Sequence, residues 1–240
     1  YWVAACMQQK GDNAGAAPLF EEFIKANADH VLLPLATFAL GNAQVAIGQK
    51  EVGLATLAQV VEKFPDSSPA PFTYFSRAQV FSTDKKPDEV TKLMREFIEK
   101  YPKDDKVFYA FNSIAQNAIV GGKPDEALAA YSELVEKYPE NPNSPGSLVK
   151  IAELQRAQAD RLATNYSSLK PEDREKWKAS IDASVASLEK LIAAYPQSAD
   201  IVAGLQSLLT CQQLSFEIDS LSSGAHPALF VLGSDFDFPS

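Results

Sequence analysis

A six-residue phrase returns at a fixed interval along this chain. It reads Val60-Val61-Glu62-Lys63-Phe64-Pro65, then Phe97-Ile98-Glu99-Lys100-Tyr101-Pro102, then Leu134-Val135-Glu136-Lys137-Tyr138-Pro139, and the aromatic steps by 37 residues each time. A worn copy, Phe23-Ile24-Lys25-Ala26-Asn27-Ala28, lies 37 residues before the first. Another, Leu191-Ile192-Ala193-Ala194-Tyr195-Pro196, follows the third after 57. Self-similarity at such a period marks a solenoid, because one small unit cannot bury its apolar face alone and a stack of them can. A stack grows by addition of units and presents a long surface rather than a catalytic pocket.

Each unit reads as two helices. Segment 34–48 opens on Pro34, suited to a first helical turn, and closes on Gly48, suited to a C-terminal stop. Segment 51–63 follows, with Val52, Leu57, Val60 and Val61 on one face, and Phe64-Pro65 ends it because a proline disfavours helix in the residue before it. The plan repeats over 70–83 with 87–100, 105–120 with 124–137, and 145–168 with 172–194. A first pair covers 1–10 and 15–26, and a lone long helix covers 198–222, which predicts eleven helices and no strand. By register Ala4 takes the place of Gly41, so the polypeptide is expected to extend upstream of Tyr1 with more helix.

The unit between Pro139 and Pro196 exceeds the period by 20 residues, concentrated in 160–178. Shared between two antiparallel helices, the excess predicts a hairpin, 145–194, projecting roughly 15 Å at 1.5 Å per residue. Trp177 and Tyr166 fall in this arm, beyond the expected reach of neighbouring units, and read as packing on each other across the hairpin or as an exposed contact patch. The array is taken as 1–222 and the remainder, 223–240, as a non-helical tail. That tail, from Ala225 to Ser240, is apolar and aromatic. It reads as a cap on the final helix or as a docking segment.

Composition excludes several functions. The net charge is −9, the wrong sign for a chain that must displace counterions from nucleic acid. No run approaches the roughly 18 apolar residues of a membrane span. The two histidines, His30 and His226, stand apart from cysteines and acidic pairs, so no metal-ligand spacing arises. Asp235 and Asp237 are too few to define a calcium loop. Phosphate-binding glycine loops and nucleophile elbows are missing. Acid pairs such as Asp104-Asp105 and Glu21-Glu22 suit helix starts or outward faces. The sequence therefore predicts no catalytic residues, metal or cofactor. Cys6 and Cys211 read as small buried apolar residues, too far apart in a stack to bridge.

In its residues the chain resembles the tetratricopeptide repeat family. Unit 105–139 carries Phe111, Ile114-Ala115 and Ala118 on its first helix and Ala127, Tyr131 and Pro139 on its second, joined by the turn Gly121-Gly122-Lys123-Pro124-Asp125-Glu126-Ala127. Leu40-Gly41 fits in the 34–65 unit, where Gly53 and Leu57 replace the usual alanine and aromatic. Small residues recur at Gly41, Ala78, Ala115 and Ala152, where two helices would approach closely. The period is 37 against the family's usual ~34. The extra residues fall after each proline.

The resemblance implies an all-α, right-handed α-solenoid of about five and a half hairpins, acting as a non-enzymatic protein-binding scaffold. It implies that the first helix of each unit lines a concave groove. By register those residues are Phe38 and Asn42; Phe72, Phe75 and Gln79; Tyr109, Asn112 and Gln116; then Glu153 and Arg156. Asn42, Gln79, Gln116 and Glu153 recur 37 apart as a column. Amides suit the backbone of an extended peptide, and the aromatics suit its side chains. No lysine occupies these places, which argues against a terminal carboxylate as ligand. The Tyr-Pro endings resemble bacterial cell-envelope members, which implies a periplasmic or envelope location, with a cytoplasmic one as the alternative; a membrane tether upstream of Tyr1 would accord with the first. A second reading is a structural subunit that self-associates through the terminal helix and tail. A third is an auxiliary domain of a larger membrane-anchored protein.

Overall fold

The computed structural model describes residues 1–162 and 169–222; Tyr166 and the tail lie outside the described residues. Eleven helices and no strand occur among the described residues. They are α1 (Trp2–Gln9), α2 (Asn13–Ala26), α3 (Leu33–Ala46), α4 (Lys50–Lys63), α5 (Ala70–Thr83), α6 (Pro87–Lys100), α7 (Val107–Val120), α8 (Pro124–Lys137), α9 (Ser144–Leu162), α10 (Pro171–Ala194) and α11 (Ile201–Ser222). The starts of α3, α5, α7 and α9 fall 37 residues apart, as do those of α2, α4, α6 and α8. The expected all-α stack of helical hairpins is therefore the fold. The chain divides into two compact units, Tyr1–Ala127 and Leu128–Ser240.

The register is written in the turns as well as the helices. Within each of the first four hairpins the connecting turn places one residue at positive φ: Gly11, Gly48, Lys85 and Gly122, each 37 from the last. Glycine suits the left-handed region because it has no Cβ to clash there. Between hairpins the chain makes two successive three-residue turns. The amides of Ser67 and Ala70 donate to the carbonyls of Phe64 and Ser67, and the pattern recurs at 101/104/107, 138/141/144, 195/198/201 and 27/30/33. The residues between helices thus form a fixed structure that carries the 37-residue period.

The side chain at the middle of this double turn helps to hold it. Asp104 Oδ1 accepts from the Lys106 amide, Asn141 Oδ1 from Asn143, and Ser198 Oγ from Asp200. His30 plays the same part, its Nδ1 accepting from the Leu32 amide at 3.0 Å. Short polar side chains favour this local bonding, which closes a turn without a partner from elsewhere. One acid of the Asp104-Asp105 pair is thereby a turn former.

In the first unit the helices pack in chain order from α1 to α7. Gly41 and Gly53 form the α3–α4 crossing. A Cβ on Gly41 would lie 2.8 Å from Leu57 Cγ, and one on Gly53 would lie 2.7 Å from the Gly41 carbonyl oxygen. The small residues expected to allow close approach do so: Gly41, Ala78, Ala115 and Ala152 are all buried. A latch joins successive hairpins at two of the closing tyrosines. Tyr101 Oη donates to the Pro65 carbonyl at 2.8 Å, and Tyr195 Oη to that of Pro139 at 3.0 Å. Burial comes first among the causes that raise both phenols above the usual tyrosine range. Neighbouring acids, Asp66 and Asp104 for one and Glu140 for the other, add to it.

In the second unit α10 runs for 24 residues and α11 for 22, against 14 for α3 to α8. Trp177 is buried with Ala159, Leu169, Ile181, Leu188 and Cys211, and Leu208 and Leu214 of α11 pack against them. This corrects the expectation that Trp177 lies beyond its neighbours: α11 is long enough to cover the long hairpin. Ser184 Oγ donates to the Ala152 carbonyl at 2.9 Å and sits 3.4 Å from Cys211 Sγ. Cys211 is buried as expected, whereas Cys6 is exposed. Cys6 shares α1 with the buried Ala4, which points toward Phe20 and Ala36, and it looks away from that cluster.

Candidate protein-binding face of the first helices

Within the first unit, α3 shows how a surface is built opposite a core. Ala36, Thr37, Leu40, Gly41, Ala43 and Gln44 are buried and set its inward side. Leu35, Phe38 and Asn42 share an arc about 60° wide on the opposite side at 3.6 residues per turn. The same places on α5 and α7 hold Phe72, Phe75 and Gln79, then Tyr109, Asn112 and Gln116. A 37-residue period therefore sets at least one aromatic and at least one amide per hairpin on this face.

The side chains differ in how free they are. Phe72 is 46% exposed and Tyr109, its register mate, is 59% exposed. Gln79 and Gln116 are exposed, and Phe38, Asn42 and Asn112 are half-buried. Asn42 Nδ2 donates to the Phe38 carbonyl at 3.0 Å, so one of its amide hydrogens is engaged within α3. Phe75 meets Phe97 edge to face at 4.9 Å between ring centres and so contributes to the interior. Phe72 and Tyr109, seven residues before Gln79 and Gln116 on α5 and α7, are the exposed rings of this face. Glu153 and Arg156 are exposed on α9, in the second unit, and Glu153 Oε2 is paired with Lys150 Nζ at 2.9 Å. That bond is the leading reason the Lys150 ammonium is held above the usual lysine range.

Sequence reasoning missed a cation. Lys106, just before α7, reaches over the Phe72 ring with Nζ 4.4 Å from its centre and also pairs with Asp104 Oδ1 at 3.2 Å. Its place in the register belongs to Leu32, Pro69 and Asn143, so no periodic signal marks it. The ammonium adds cation–π character to the ring, while Asp104 offsets its charge.

Groups of His, Cys, Asp and Glu able to hold a metal ion are absent among the described residues. No described helix is long and apolar enough to cross a membrane. Cavities among the described residues include one of about 230 Å³ lined by Ile24, Leu33, Thr37, Leu40, Thr56 and Phe64, among others, and one of about 420 Å³ lined by Tyr74, Glu96, Glu99 and Lys100.

The tetratricopeptide repeat model matches residues 36–67 and 113–141. No curated protein matches the sequence. Among solved structures, a tetratricopeptide repeat protein from Parabacteroides merdae is 13% identical, covering 94% of this chain and 78% of its own, with a TM-score of 0.48. The MamA protein is 15% identical, covering 80% and 91%, with a TM-score of 0.46. YrrB, described as a repeat protein of this kind with an unusual peptide-binding site, is 12% identical, covering 88% and 89%, with a TM-score of 0.44. The two stretches matched by the tetratricopeptide repeat model lie within a helix register that holds from α2 to α8.

Proposed function

We propose that this chain is a scaffold that holds an extended or helical segment of a partner protein against the outward face of α3, α5 and α7. Tetratricopeptide repeats are in general interaction modules rather than catalysts, which is the frame for this reading. The observation that carries it is the coincidence, on one core-averted face, of the exposed rings of Phe72 and Tyr109 with the amides of Asn42, Gln79 and Gln116. One such set per hairpin fits a long ligand better than a compact one. The amides offer donors and acceptors to a main chain, and the rings offer apolar contact to its side chains. A periplasmic or envelope location and a tether upstream of Tyr1 are part of the proposal, supported by the resemblance of the Tyr-Pro endings. Fractionation of the native host tests them.

The binding test selects displayed peptides on the intact chain and measures the affinity of the best one. Each lost neutral hydrogen bond costs about 0.5–1.5 kcal/mol and each lost aromatic anchor about 2 kcal/mol or more. The variant Asn42→Ala, Gln79→Ala, Gln116→Ala should weaken binding at least ~10-fold, and Phe72→Ala, Tyr109→Ala at least as much. The melting temperature should hold in both, since these side chains point away from the core. Unchanged affinity in both variants would move the site elsewhere.

A further inference from the structure

The last helix carries an apolar surface of its own. Its inward side is set by Gly204 and Cys211, both buried, with Leu208 and Leu214 packing beside them. On the other side Val202, Leu205, Leu209 and Phe216 are between 48% and 66% exposed. Their spacings of three, four and seven residues put all four within an arc of about 60°. The stripe is about 21 Å long at 1.5 Å rise per residue, and no described residue covers it. Its other neighbours on the exposed side, Gln206, Thr210, Gln212 and Gln213, are uncharged. A continuous apolar stripe of this kind on a soluble helix calls for an occupant.

We propose that this stripe is the docking surface for the chain's own segment 225–239, which follows α11 directly. Four observations select that occupant. The segment is apolar at Ala225, Ala228, Leu229, Phe230, Val231, Leu232, Phe236 and Phe238, with Asp235 and Asp237 as its only acids and no lysine or arginine. Gly224 and Pro227 favour a break from helix just before the apolar run, so the chain can turn back. Fifteen residues at ~3.3 Å each reach about 50 Å, more than twice the stripe, so a returning strand covers it with length to spare. Tethering supplies an effective concentration in the millimolar range, which a free partner must exceed. A second copy of the chain is the weaker candidate. The four side chains offer roughly 400 Å², half of the ~800 Å² per partner that a stable protein pair buries.

The test uses the full chain with Trp2→Phe and Phe230→Trp, leaving the buried Trp177 as the other indole. The indole at position 230 should emit to the blue of the same change in a free peptide of residues 223–240. Acrylamide should quench it at least threefold more slowly than in that peptide. Sedimentation should give a monomer, with protection independent of concentration. Adding Leu205→Gln and Leu209→Gln should restore quenching to the peptide's rate while helicity by circular dichroism holds. Should that double change lower helicity, Leu209→Ala alone must still raise the quenching rate. A freely quenched indole overturns the proposal. So does protection that disappears on dilution together with a dimer, which would assign the stripe to a second copy. Protection indifferent to the stripe variants would place the segment elsewhere and overturn it as well.

Discussion

Lys85 stands at φ 55° in the turn between α5 and α6, where Gly11, Gly48 and Gly122 occupy the other hairpins. A side chain in the left-handed region costs about 1–2 kcal/mol, while glycine gives back part of that through the greater freedom of its unfolded chain. Lys85→Gly should therefore stabilise the protein by about 0.5–1 kcal/mol, or roughly 1–4 °C in melting temperature for a chain of this size. Gly48→Lys should lower stability by a comparable amount. A Lys85→Gly variant that melts at or below the parent would show that this turn is held by something other than its backbone. At this scale much was legible. The small residues at 41, 78, 115 and 152 announced the close crossings, and Gly41 against Leu57 and Gly53 shows why bulk is excluded there. What was not legible was rotamer choice. Phe38, Phe72 and Phe75 are the same residue type on one helical face, yet Phe75 turns to Phe97 while Phe72 stays half in solvent beneath Lys106. Such choices depend on side chains brought from neighbouring helices, which the register of one helix does not specify.

Helix ends were easier to read than helix partners. Proline in the first turn of α3, α5, α6, α8, α9 and α10, and the Phe-Pro or Tyr-Pro stop after α4, α6 and α8, fixed those boundaries to within a few residues. The long hairpin was visible as an excess of chain, but its neighbour was not, because the length of α11 alone does not say which face it covers. Burial of Trp177 against Leu208, Cys211 and Leu214 makes α11 the wall of that hairpin. Truncating a fully buried large aromatic typically costs about 3–5 kcal/mol, whereas a side chain at an exposed tip costs within ~0.5 kcal/mol. Trp177→Ala should therefore fall in the first range, measured by denaturant unfolding with helicity as the signal. Trp177→Phe should lose distinctly less. In the parent, acrylamide should quench one indole class readily, from the exposed Trp2, and another poorly, from Trp177. A near-neutral Trp177→Ala would return the tryptophan to the solvent and detach α11 from the arm.

Across the whole molecule the period was the most legible property, since it recurs in sequence, in helix starts and in turn conformation alike. The division at Ala127 and Leu128 was not, because it falls inside α8, where the hairpin pattern itself is unbroken. The binding face was legible only in outline: register supplied the positions of its side chains, and tertiary packing decided which remain available. Charge at this scale separates two ways of binding. The net charge of −9 would favour a cationic ligand over a long range, an attraction that salt screens within about 8–10 Å. The proposed face works through neutral amides and rings, and the lysine nearest to it, Lys106, is offset by Asp104. For an uncharged peptide selected on the intact chain, raising salt from about 0.05 to 0.5 M should change affinity less than ~3-fold, since contacts of this kind owe little to screened charge. The rate of association should also stay nearly constant, because electrostatic steering is absent. A loss of ten-fold or more would mean that ligand recognition runs through the acidic surface, and would shift the search for the site from the outward face of α3, α5 and α7 to the carboxylates around it.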